Sequence, residues 1–158
     1  MENVNNHVIE KLNLLITVDE KGKTMYKNAS LKMEDKVMKE AFKKMAKIKT
    51  SHITELKAVV KSLGHKAVTV IDALSNSHNK RIGTDPFFST ASKEAIEKAC
   101  ITQEEFALSA YTTALSSNYI FGSIKELLNQ QIEAIKATLD TIKESIAAPV
   151  LELTEEEA

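Results

Sequence analysis

DEKGKTMYKNA at residues 19–29 and EEFALSAYTTA at residues 104–114 decide how this chain is read. Each stretch runs acid, small residue, tyrosine, alanine: Asp19, Gly22, Tyr26 and Ala29 in the first, Glu104, Ala107, Tyr111 and Ala114 in the second. Steps of three and four residues put all four positions on one stripe of an α-helix. Each copy therefore sets a carboxylate among residues expected to be buried. Two explanations stand for such an acid: a metal or proton site inside a helical bundle, or a polar layer that fixes helix register.

Working outward, the punctuation is sparse. Gly64, Gly83, Pro86, Gly122 and Pro149 fall between periodic stretches, and only Gly22 lies inside one. Four long helices result. The first, about residues 4–31, turns Leu12, Leu15, Asp19, Gly22, Tyr26 and Ala29 inward, with Gly22 expected to admit a neighbouring helix closely. The second starts at an Asp35 cap, carries Ala41, Phe42, Met45, Ile48, His52, Leu56, Val59 and Leu63 inward and stops at Gly64. The third, residues 92–118, buries Ile96, Cys100, Glu104, Ala107, Leu108, Tyr111, Ala114 and Leu115. The fourth opens with a Ser123/Glu126 capping box, buries Ile124, Leu128, Gln131, Ile135, Leu139, Ile142 and Ile146, and is expected to end at Pro149.

Short turns make each pair an antiparallel hairpin, and the long connection at about residues 65–90, with a short helix expected over 67–74, lets the third helix begin at the far end of the bundle. The expected fold is all-α: a ferritin-like four-helix bundle, two antiparallel hairpins joined by a long crossover. Residues 1–149 form the bundle, and residues 150–158, ending in Glu155, Glu156 and Glu157, an acidic C-terminal tail that is either a solvated terminus or a docking peptide.

Composition agrees with helices and excludes several functions. The 158 residues are 43% hydrophobic yet only 5% aromatic, with four Gly and two Pro. A net charge of −1 offers no global field for nucleic acid or an anionic membrane. Neither partner is expected. The chain lacks an uninterrupted apolar span of membrane length and a signal-like start, and its one cysteine, Cys100, fits a reducing compartment. A cytoplasmic location is the expectation. Gly-rich phosphate loops, nucleophile elbows, H-E-x-x-H and Cys-x-x-Cys are all missing, so the reading leans away from an enzyme.

Each helix places one polar side chain on its inward stripe: Asp19, His52, Glu104 and Gln131. Folding the first hairpin at residues 33–34 sets Asp19 opposite Ile48, with His52 about one turn, ~6 Å, away. Folding the second sets Glu104 near Thr138 and Leu139 and assigns Gln131 to a different layer. A di-iron carboxylate site takes Glu-x-x-His pairs, and the chain has only the reversed His52-x-x-Glu55. Asp19, His52, Glu55 and Glu104 are the candidate ligands for one iron, manganese or zinc ion. Against that reading, Tyr26 and Tyr111 are placed to hydrogen-bond the acids in a purely structural layer. His7, His65 and His78 show no ligand spacing and are expected at the surface, and Cys100 reads as a buried inert thiol. Lys36, Lys39, Lys43, Lys44, Lys47 and Lys49, interleaved with acids, read as a solvated face.

The chain resembles the bacterial ferritin-like domains of the domain-of-unknown-function family 2383. The resemblance covers most of the sequence: Leu12-Asn13 with Gly22 and Tyr26, Phe42, Glu55-Leu56 before Leu63-Gly64, and His78 ahead of Glu94-Ala95-Ile96. It continues through Cys100, Glu104-Glu105, Ala110-Tyr111, Ala114-Leu115 and Gln131. What it implies is a ferritin-like bundle, bacterial, with no established activity. Leu139 stands where the resemblance leads one to expect a histidine, and the residues after His78 lack the expected aromatic. Both departures weaken an inherited metal role. The leading expectation is a non-catalytic bundle acting through protein association, as a homo-oligomer or with another protein. The alternative is a metal-binding oxidoreductase or storage protein using the acids of the first and third helices.

Overall fold

The computed structural model describes residues 2–64 and 91–157, with side chains over 4–64 and 91–147. Four helices account for almost all of them: α1 (Glu2–Lys32), α2 (Lys36–Ser62), α3 (Lys93–Leu115) and α4 (Gly122–Glu157). Local chemistry sets the boundaries. The Val37 N–H donates to Asp35 Oδ1 at 3.1 Å and the Ala95 N–H to Ser92 Oγ at 3.2 Å, capping α2 and α3. After α2, Gly64 takes φ +85°, a left-handed conformation that costs a glycine little, and its N–H donates to the Lys61 carbonyl at 3.0 Å.

The helices form a four-helix bundle. α1 packs against α2 and α3, and α4 packs against α3 and, narrowly, α2. α2 and α3 are therefore diagonal neighbours. One end of the bundle gathers Ala29, Met33, Met38, Phe42, Ile96, Cys100 and Ile142; the other gathers Leu12, Val60, Ala114, Ile120 and Leu128. α1 is thus antiparallel to both α2 and α3. The end of α2 and the start of α3 lie at opposite ends of the bundle, and α1–α2 and α3–α4 are antiparallel hairpins. That is the expected connectivity. Residues 65–90, with the short helix expected at 67–74 and with His65 and His78, lie outside the described residues.

Three local expectations need correction. α4 does not stop at Pro149 but continues to Glu157: proline's φ is already helical, and the helix survives one missing N–H. It also starts at Gly122, with φ +61°, one residue ahead of the expected Ser123 cap. The third correction is to the inward face of α2. Ile48 is 37% exposed while Lys49 is 2% exposed, and the buried stripe is Met38, Phe42, Met45, Ala46, Lys49, His52, Ile53, Leu56 and Val60. The inward stripe expected for α1 holds, with Leu12, Leu15, Asp19, Gly22, Tyr26 and Ala29 all buried; of that expected for α3, Ile96, Cys100, Glu104, Ala107, Tyr111 and Ala114 are buried while Leu108 and Leu115 are half-buried.

Candidate functional site

Between the two apolar halves of the core lies a polar layer made by all four helices. Its centre is Lys49. The lysine stem runs along Gly22 of α1, where a Cβ would come within 3.2 Å of Lys49 Cε, so the glycine makes room for a side chain rather than for a helix backbone. The ammonium ends 2.5 Å from Glu104 Oε1 on α3 and 3.7 Å from Asp19 Oδ1 on α1. Asp19, Lys49 and Glu104 are all essentially excluded from solvent. A lone buried charge of either sign is too costly to keep, so each depends on the others.

The duplicated pattern supplies the remaining contacts. α1 and α3 are antiparallel and the acid and tyrosine of each are two turns apart, so the acid of one helix meets the tyrosine of the other. The Tyr26 hydroxyl donates to Glu104 Oε2. The Tyr111 oxygen lies 2.5 Å from Asp19 Oδ2 and 2.7 Å from Gln131 Oε1. Gln131 belongs to this layer after all, because the length of the Tyr111 ring bridges the turn of helix that separates them. Its amide nitrogen donates to the His52 carbonyl at 3.4 Å, which turns Oε1 toward the phenol.

A phenol carries one proton and cannot donate to both acceptors. The two acceptors therefore compete for the Tyr111 proton, and its donation to Asp19 favours the charged carboxylate. Burial pushes the Asp19 carboxyl up to about 6, a rise reinforced by Glu104 and opposed by Lys49 and Tyr111. Burial, and then the neighbouring carboxylates, push both phenols well above their ordinary value, so they remain donors.

The four expected metal ligands are not brought together as a set. Asp19 and Glu104 do converge, but on the Lys49 ammonium. His52 is buried with Nδ1 unpartnered, and burial, with the nearby Lys49 charge, pulls its pKa down to about 4, so the ring is neutral at physiological pH. Glu55 is half-buried, and its carboxylate touches the layer only through a weak electrostatic effect on Tyr111. Among the described residues no three His, Cys, Asp or Glu side chains are grouped to hold an ion. The donor set present, an ammonium wedged between two carboxylates, fits a cation poorly because lysine already supplies the positive charge.

Sequence reasoning missed Lys49 by reading it with the solvated lysines of α2. The available signal was Gly22, a helix-interior glycine facing the same level of α2. A second missed residue, the acid Glu97, is 1% exposed on α3. Burial raises its pKa, against a hydrogen bond with Ser145 and the charge of Lys93 at 3.9 Å. The smaller expectations fare better. His7 is exposed, stacked on Tyr119 with centroids 4.8 Å apart, and Cys100 is fully buried with its thiol pushed up by burial. Among the described residues no helix is long and apolar enough to cross a membrane.

Fold and site together define an all-helical bundle whose core is divided by a closed polar layer. The chain belongs to the family described as Domain of unknown function (DUF2383), whose model matches residues 7–117. That span takes in most of α1 and all of α2 and α3, with both copies of the acid-to-tyrosine pattern. No curated protein and no solved structure matches the chain.

Proposed function

We propose that this protein is a non-catalytic, cytoplasmic helical bundle that acts through protein association. The observation that carries the reading is the place of Lys49. The two inward carboxylates are already matched by an ammonium and two phenols, and all five groups are buried. Such a layer fixes which helices pair and in what register, as isolated polar groups do in helical bundles. It leaves the exterior for function.

The competing reading is a ferritin-like metal protein holding iron, manganese or zinc on Asp19, His52, Glu55 and Glu104. Metal analysis of protein purified without chelator separates the two. Our reading expects no stoichiometric metal in the natural protein or in an Asp19→Ala/Glu104→Ala variant. One ion per chain, lost in that variant, would overturn it.

A further inference from the structure

The bundle is open between α2 and α4. The two helices touch narrowly and leave a lengthwise groove of about 540 Å³, lined at its floor by Ala41, Met45, Ala134 and Thr138. Val37 and Ile48 stand on the α2 lip, 75% and 37% exposed, and two small residues, Ala137 and Thr141, form the α4 lip. Apolar side chains thus project from one lip toward a gap that the other lip is too small to fill.

Charge is sorted on the exposed helix faces beside the groove, whose own lining carries only Glu40 and Lys44. Lys44 and Lys47 are exposed on α2, while Glu133, Asp140 and Glu144 are exposed on α4. The interspersed opposite charges are partly occupied locally: Glu40 pairs with Lys43 at 3.2 Å and Lys136 with Glu133 at 3.6 Å. With Lys36 and Lys143, also exposed, counted in, the face of α2 beside the groove is net positive and that of α4 net negative. A two-fold rotation about an axis along the groove lays α2 of one copy on α4 of the other at the same height, and does so twice. Basic lip then meets acidic lip in both halves, and Val37 and Ile48 cover the small residues of the partner.

We infer that this face joins two copies of the chain in a two-fold dimer whose axis runs along the α2–α4 groove. The inference rests on the reading that the protein acts by association, and names the partner as a second copy. The rotation also dictates how charge reversals must behave. Lys44→Glu/Lys47→Glu makes both lips acidic, so it repels itself. Glu133→Lys/Asp140→Lys makes both lips basic, with the same effect. Mixed together, the two variants have opposite lips in each half and pair with one another.

Sedimentation of the full chain at micromolar concentration tests this, with circular dichroism confirming that the variants, changed only at exposed positions, keep their helices. The expected result is a dimer for the natural sequence, self-association weakened by about tenfold or more in each double variant, and a heterodimer on mixing. Val37→Ser/Ile48→Ser, which alters no charge, weakens the dimer as well. A monomeric natural protein overturns the inference, as does a dimer indifferent to all three variants, or one that mixing fails to restore. A monomer would leave association with a different protein standing, whereas stoichiometric metal on Asp19 and Glu104 would remove the broader reading.

Discussion

Lys49 of α2 and Glu104 of α3 meet at 2.5 Å across the diagonal of the bundle, the longer of the two ways its helices can reach one another. The lysine spans that distance because Gly22 on α1 leaves its stem a channel. Asp19 and the two tyrosines close the layer around the pair. The balance of charge in this layer governs most of what can be measured on the protein.

Removing the ammonium strands the carboxylates. Lys49→Met should cost about 3–5 kcal/mol at neutral pH, the cost of leaving a buried charge without its partner. Removing both acids is no kinder: Asp19→Leu/Glu104→Leu strands Lys49, so the double variant should also be destabilised. Lys49→Met/Asp19→Leu/Glu104→Leu, which removes all three charges, should recover much of the loss. Urea denaturation of the three proteins gives the comparison; a double variant as stable as the triple one would contradict it.

Gly22 should be coupled to Lys49. Alanine in a helix interior is favoured over glycine by about 1 kcal/mol, but here the added Cβ would sit 3.2 Å from Lys49 Cε and the ammonium is held at its far end. Gly22→Ala should therefore be neutral or destabilising in the natural protein and stabilising in a Lys49→Ala background. A double-mutant cycle in urea measures the difference. Equal effects in both backgrounds would mean that the lysine does not use the channel.

Two titrations in the layer oppose each other. Asp19 has a folded pKa raised from 3.8 to about 6, so its contribution is complete below 3.8 and is lost as pH rises through 6, on the order of 3 kcal/mol. His52 has a folded pKa lowered from 6.5 to about 4, so its contribution is complete above 6.5 and is lost as pH falls toward 4. Between these limits the two slopes offset. Relative to the natural protein, Asp19→Asn should show stability rising with pH across this window, and His52→Gln should show it falling. Denaturation midpoints measured through the window check both signs.

The two acid-to-tyrosine stripes were legible because each repeats at helical spacing and nothing competes for the inward face. The hairpins were legible from Gly64, Asp35 and the short turns. The face of α2 was not, because Ile48 and Lys49 are adjacent and straddle its edge, and apolarity alone selects the isoleucine. Choosing the lysine requires weighing a cation against two inward carboxylates at the same height, which is a tertiary argument. Gln131 reads as a separate layer for a related reason: backbone heights alone separate it from the acids, whereas the Tyr111 hydroxyl reaches both Asp19 and Gln131.

Cys100 offers a probe that leaves the layer unaltered. It is fully buried and its thiol is pushed up by burial, so its reaction with a disulfide reagent requires the bundle to open. The rate should be slow in the natural protein and rise in Lys49→Met in step with lost stability. A fast reaction in the natural protein would show that this end of the core opens without global unfolding.

The ammonium of Lys49 can be observed directly. Nitrogen-detected NMR of the lysine side chains at neutral pH should show one ammonium in slow exchange with water, correlated with the Glu104 carboxyl carbon and missing from Lys49→Met. If every lysine ammonium exchanges as fast as an exposed one and none correlates with Glu104, the closed charge layer does not exist.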